Sequence, residues 1–153
     1  SSVAVASHIV CCGAIDGRVR TYDLRAGSLT TDTIGPPITH VSLSNDQNCV
    51  LTSSLDSTLR LLDRESGQQL ASYRGHKNEA YKLQSCLSPD DAHVLGGSED
   101  GGVFVWSLVE SKVVSLLRGH TKAVTALSCH PKRWEVLTAS HDGTAKLWSC
   151  NPG

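Results

Sequence analysis

Four copies of one pattern run through this chain and constrain its fold more than any other feature. The octets DGRVRTYD (16–23), DSTLRLLD (56–63), DGGVFVWS (100–107) and DGTAKLWS (142–149) align without gaps. Their leading residues, Asp16, Asp56, Asp100 and Asp142, are 40, 44 and 42 positions apart. Six positions after each comes a bulky residue: Tyr22, Leu62, Trp106 or Trp148. A register kept four times marks a repeat architecture, in which each unit hides its apolar surface against the next.

Each octet reads as a tight turn feeding a strand. Asp and Gly tolerate the positive φ that such turns need. Apolar or β-branched residues then alternate: Val19 and Thr21, Leu59 and Leu61, Val103 and Val105, Ala145 and Leu147. The spacing predicts a strand before each turn, at 9–14, 49–54, 93–98 and 135–140. It predicts further strands at 38–43, 82–87 and 123–128, and outer strands at 28–33, 69–73 and 113–117. No segment longer than about ten residues shows helical periodicity. Four short strands per repeat is the pattern of a β-propeller blade. The expectation is an all-β arc of about three and a half blades: 1–35 (incomplete), 36–75, 76–119, and 120–153 without its outer strand.

Composition narrows the function. Lys and Arg number 14 and Asp and Glu 15, a net charge of −1. That balance argues against a dedicated nucleic-acid binder and against a polybasic membrane-surface protein. Apolar residues make up 39% and charged residues 19%, as in folded chains. No apolar run approaches the roughly 18 residues of a membrane helix, and no signal peptide is visible. The chain contains no Met, from which the sequence predicts a missing N-terminal part. Cys11, Cys12, Cys49, Cys86, Cys129 and Cys150 form no C-x-x-C pair and no zinc spacing with His. No metal, cofactor or small-molecule substrate is expected. The cysteines read as small buried hydrophobes in a reducing compartment, cytosol or nucleus, with disulfides as the alternative.

Gly75-His76 and Gly119-His120 precede Asp100 and Asp142 by 24 and 22 residues from each His. With Trp106 and Trp148, they resemble the Gly-His…Trp-Asp pattern of WD-repeat proteins over essentially the whole chain. Two repeats match well, although both end in Trp-Ser. The first lacks Gly-His and has Tyr22; the second has Gly35-Pro36 and Leu62. In WD-repeat blades such residues form a buried chain from indole to hydroxyl to imidazole to carboxylate. The resemblance implies two structural tetrads: His76, Ser98, Asp100, Trp106 and His120, Ser140, Asp142, Trp148. A hydrolase triad is the competing reading of the same residues. Duplication at matched spacing favours architecture, because catalysis needs one nucleophile in one pocket. Gly-x-Ser-x-Gly and P-loop motifs are absent from the sequence. The protein is therefore expected not to be an enzyme.

His76 lies 13 residues before Pro89, whereas His120 lies 11 before Pro131. Two residues are therefore extra within 77–82. Charged and aromatic insertions are where function tends to be grafted, which makes Lys77, Glu79 and Tyr81 candidates for partner binding. The residues just before the turn aspartates, Ile15, Leu55, Glu99 and His141, should line the same face; packing between blades is their other reading. Arg18, Arg20, Arg25 and Arg60 read as a small basic patch or as solvated strand edges. Trp134, after Pro131-Lys132-Arg133, is either a partner anchor or folded back onto its own blade. Tyr22-Asp23-Leu24-Arg25 resembles the Trp-Asp-x-Arg box of receptors for cullin ubiquitin ligases.

The strings 55–63, 73–78, 81–83, 86–88 and 98–101 look closer to one WD-repeat subfamily, the mitogen-activated protein kinase organisers. They resemble the C-terminal half of that seven-bladed group, whose full ring needs roughly 294 residues at this period. The resemblance implies a scaffold for kinase-cascade components in cytoplasm or nucleus. Its alternatives are a protein component of spliceosomes and a cullin-ligase substrate receptor. The partners expected are proteins, with no direct nucleic acid and no membrane.

Overall fold

A computed structural model describes residues 1–149; residues 150–153 lie outside it, and with them Cys150 and the strand expected to be missing after Ser149. The turns act locally as their chemistry dictates. Asp16, Asp100 and Asp142 each accept the backbone N–H two residues on, at 3.1, 3.0 and 2.9 Å. The residue after each turn aspartate has positive φ, including Ser57, which stands where the other repeats have glycine. At Gly101 only glycine fits, since a Cβ there would lie 2.5 Å from the carbonyl oxygen of His120.

The strands are β1 (Ser2–Ala6), β2 (Ile9–Gly13), β3 (Arg18–Asp23), β4 (Ser28–Thr33), β5 (Ile38–Leu43), β6 (Cys49–Ser54), β7 (Thr58–Asp63), β8 (Gln69–Tyr73), β9 (Ser85–Leu87), β10 (His93–Gly97), β11 (Gly102–Ser107), β12 (Val113–Arg118), β13 (Val124–Cys129), β14 (Glu135–Ser140) and β15 (Ala145–Ser149). There is no helix among the described residues. The strands build four antiparallel sheets in chain order, β1–β4, β5–β8, β9–β12 and β13–β15. This is an all-β partial propeller. The innermost strands β1, β5, β9 and β13 stand side by side and border a cavity of about 520 Å³.

Two expectations are corrected. Residues 1–35 do not form an incomplete blade, because Ser2–Ala6 pairs along β2 and completes a four-stranded sheet. The strand expected at 82–87 shrinks to Ser85–Leu87. Gln84 keeps one bond to its own sheet, its carbonyl accepting the Gly97 N–H at 3.3 Å, but turns its other groups to the next blade: its N–H donates to the Thr125 carbonyl at 3.2 Å, and its Oε1 accepts the Leu127 N–H at 3.2 Å.

The core lies between sheets, and one repeat position records it. Leu51 and Leu95, one repeat apart, are 0% and 1% exposed, while the equivalent Leu137 is 52% exposed. Leu51 packs beside Leu87, Val94 and Trp106 of the third sheet, and Leu95 beside Leu127 and Val136 of the fourth. At the opposite end Val3 is 60% exposed, whereas its equivalent Val41 is 2% exposed. The chemistry at the two ends is that of the buried junctions.

Candidate functional site

The polar locks of the blades come first, because they position the loops. In the fourth sheet His120 Nδ1 donates to Asp142 at 2.9 Å, and its Nε2 meets the Thr138 hydroxyl at 2.9 Å. Thr138 also accepts the Trp148 indole N–H at 2.8 Å. The hydroxyl of this chain is Thr138, not Ser140. Trp148 sits across from Val136 in the ladder. Thr138 is two residues along the same face; Ser140 is four along, roughly 13 Å away. Ser140 instead donates to the Lys122 carbonyl at 2.8 Å. The Thr144 hydroxyl, with the Thr121 N–H and His120 adding to it, holds the Asp142 carboxyl well below the usual carboxylate range against the opposing effect of burial.

The third sheet does not build the expected chain. The position equivalent to Thr138 is Gly96, and the Trp106 ring fills the space beside it: a Cβ there would meet Trp106 Cζ3 at 3.2 Å. The Trp106 indole donates to the Arg74 carbonyl at 2.8 Å instead. Ser98 accepts the Lys77 N–H at 2.9 Å. Burial raises the Asp100 carboxyl, but the Ser98 hydroxyl and the Gly102 N–H outweigh it and hold the carboxyl below its ordinary value. His76 is packed edge-on to Trp106, with ring centroids 5.3 Å apart. Neither of its ring nitrogens has a hydrogen-bond partner among the described residues. Burial pulls its pKa down to about 4, with Asp100, Asp56 and Glu99 opposing.

Where the Gly-His pair is missing, an arginine takes its place at the turn. Arg20 pairs with Asp16 at 2.7 Å and Arg60 with Asp56 at 2.5 Å, each four residues along. Arg20 and Arg60 are thus paired locally, which fits solvated strand edges, the other reading of these arginines, better than a basic patch. The third and fourth repeats carry Phe104 and Lys146 at that position. The sequence signal was an arginine four residues after a turn aspartate in the two degenerate repeats.

The insertion 77–82 is held by three successive blade turns. The Ser57 hydroxyl of the second blade accepts the Asn78 N–H at 2.9 Å. Glu99 of the third uses one carboxylate oxygen to accept the N–H groups of Glu79, Ala80 and Tyr81, at 2.7, 2.7 and 3.1 Å. His141 of the fourth meets the Tyr81 ring edge-on at 5.0 Å. Burial pushes the Glu99 carboxyl up, but the three N–H bonds outweigh it and hold it below its ordinary value, with Lys77 adding to them. Lys77 and Glu79 form an exposed ion pair at 3.6 Å, and Tyr81 is 46% exposed. The structure therefore gathers Lys77, Glu79, Tyr81, Glu99 and His141 at one place. It gives Glu99 an anchoring part in place of a free contact surface. Ile15 stands exposed at the equivalent turn of the first sheet, and Leu55 is half-buried at that of the second.

Trp134 packs edge-on against His93, at 4.9 Å, so it reaches across to the third blade. In the segment Tyr22–Arg25 the Asp23 carboxylate accepts the N–H groups of Arg25 and Ala26, which makes it a turn with an exposed Arg25. No group of His, Cys, Asp and Glu with metal-holding geometry is present among the described residues.

Comparison with known proteins agrees with this geometry. The family model described as "WD domain, G-beta repeat" matches residues 27–63, 67–107 and 111–149. WD repeat domain-containing protein 83 of Rattus norvegicus is 49% identical over 97% of this chain and 47% of its own length; the Homo sapiens protein gives the same figures. The Dictyostelium discoideum homolog is 40% identical over 91% of this chain and 43% of its own length. The chain thus spans about half the length of these relatives. Among solved structures, the computationally designed Ika4 protein superposes with a TM-score of 0.82 at 27% identity, covering 98% of this chain and 90% of that one.

Proposed function

Because the chain belongs to the WD-repeat family, we propose that it acts as a non-catalytic scaffold binding other proteins through the face that carries residues 77–82. The observation that carries this reading is the ordered insertion itself. Three turns converge to fix a six-residue loop that presents Lys77, Glu79 and the Tyr81 ring outward. A rigid aromatic flanked by charges costs little entropy to bind and suits a protein partner. The non-catalytic part is supported by how the Ser and His side chains are used. Ser98 and Ser140 face backbone atoms of residues 77 and 122, and neither serine is bonded to its repeat's histidine.

The partners proposed are components of a mitogen-activated kinase cascade, met in the cytoplasm or nucleus. This finer reading rests on the subfamily resemblance of the strings quoted above. Its test is affinity capture from lysate with the native chain and with Lys77, Glu79 and Tyr81 changed to Ala. Kinase-cascade proteins lost with the changed loop support the proposal. Splicing proteins retained by both forms overturn it in favour of the ribonucleoprotein alternative. A cullin-ligase adaptor lost with Arg25→Ala overturns it in favour of the receptor alternative.

A further inference from the structure

Cys86 and Cys129 lie on neighbouring inner strands, and the scaffold reading makes no use of them. Cys86 pairs across its sheet with Leu95, and Cys129 with Val136. Leu95 and Val136 belong to the cluster that fills the junction between the third and fourth sheets, so each thiol faces the other sheet. The equivalent positions at the first junction are Ala4 and Leu43, which pack against a single cluster. At the third junction that apolar pair is replaced by two thiols, which share one cluster and one cavity. Both are half-buried and border the cavity of about 520 Å³ between the inner strands. The bridge from Gln84 to Thr125 and Leu127 ties β9 to β13 close by.

We propose that Cys86 and Cys129 form a redox-sensitive dithiol site, which a hydroperoxide entering the cavity oxidises to a disulfide stapling β9 to β13. The neighbouring Cys86 thiol draws the Cys129 thiol below its ordinary value, which makes Cys129 the nucleophile. Its sulfur attacks one peroxide oxygen, the O–O bond breaks, and the leaving oxygen departs as water or alcohol. The Cys129 sulfenic acid is then attacked by the Cys86 sulfur. The S–S bond forms and the hydroxyl leaves as water with the Cys86 proton. Two electrons pass from the two sulfurs to the peroxide. Burial pushes the Cys11 and Cys49 thiols up; the Cys129 thiol, with burial, holds Cys86 well above its ordinary value and leaves it the resolving thiol.

The test is mild hydrogen peroxide treatment of the native chain, followed by unreduced tryptic mapping. The expected product joins peptide 83–112 to peptide 123–132, lighter than their sum by two hydrogens and split by dithiothreitol. The melting temperature should rise by roughly 5 °C or more, because a long loop is closed. In Cys86→Ser, Cys129 should stop at the sulfenic acid and be trapped by dimedone. Peroxide consumption with both thiols left free, or oxidation spread evenly over the other cysteines, overturns the proposal. The native-chain map requires no substitution and stands even if Cys86→Ser folds poorly.

Discussion

Thr138 receives the indole N–H of Trp148 at 2.8 Å, and its hydroxyl also meets His120 at 2.9 Å. Thr138→Ala leaves both buried groups without that partner, with an expected loss of about 1–3 kcal/mol. Thr138→Ser keeps the hydroxyl and should recover most of it. Ser140→Ala removes the bonds to the Lys122 carbonyl and from the Asp142 N–H at a less enclosed site, where water can replace the hydroxyl, and should cost about 1 kcal/mol. Urea unfolding midpoints of the three variants check the ranking; equal losses at 138 and 140 would contradict it.

His40 and His76 are both pulled by burial to about 4, while an unfolded histidine titrates near 6.5. Between those values the unfolded chain binds more protons, so stability rises with pH and is lost as pH falls from about 6.5 to about 4. Each histidine contributes at most about 3 kcal/mol of that loss. His76→Gln should remove about half of the histidine part of the slope, which stands alone between pH 7 and about 5, above the range where the lowered carboxyls of Glu99, Asp100 and Asp142 add to it. Unfolding free energies at pH 7, 6, 5 and 4 would show it, and an unchanged slope would sink the assignment.

Glu99 holds three consecutive N–H groups of the insertion. Glu99→Gln leaves only a neutral amide oxygen to accept them, and charge-assisted bonds are about twice as strong as neutral ones. Amide exchange at Glu79, Ala80 and Tyr81 should accelerate by about tenfold, while global stability drops by about 1 kcal/mol. Hydrogen exchange followed by mass spectrometry separates the two effects. A uniform acceleration across all sheets would mean that Glu99 supports the whole fold.

Leu95 and Leu137 occupy the same repeat position at 1% and 52% exposure. Leu95→Ala opens a cavity between two sheets and should cost about 2–5 kcal/mol. Leu137→Ala trims a half-exposed side chain and should cost less than about 1 kcal/mol. Thermal melts of the two variants side by side provide the check.

Much of the architecture was legible because turn chemistry and alternation agree in this chain. Ile38–Leu43, Cys49–Ser54 and Glu135–Ser140 have the bounds that their apolar runs and flanking turns suggest. Ser2–Ala6 was not legible, since its serine and small alanines give a weak alternation and its pairing with β2 is a tertiary fact. The shortening of β9 was hidden for a related reason: Gln84 gives its N–H and its side chain to the next sheet. In the locks, the turn aspartate, the tryptophan and the histidine were visible as spacing. The bridging hydroxyl depends on distance along the strand, which favours Thr138 over Ser140. Nothing in spacing shows that Trp106 covers Gly96 and turns its N–H to Arg74.

The exchange of histidine for arginine at the turn aspartates also bears on the order of folding. Asp16–Arg20 and Asp56–Arg60 each close a contact over four residues, so they can form while the chain is still open. His120–Asp142 closes over twenty-two and carries a larger loop entropy that must be met before the bond contributes. Loop entropy alone therefore favours closing the turns of the first two blades ahead of the fourth, whose connecting segment must first return to it.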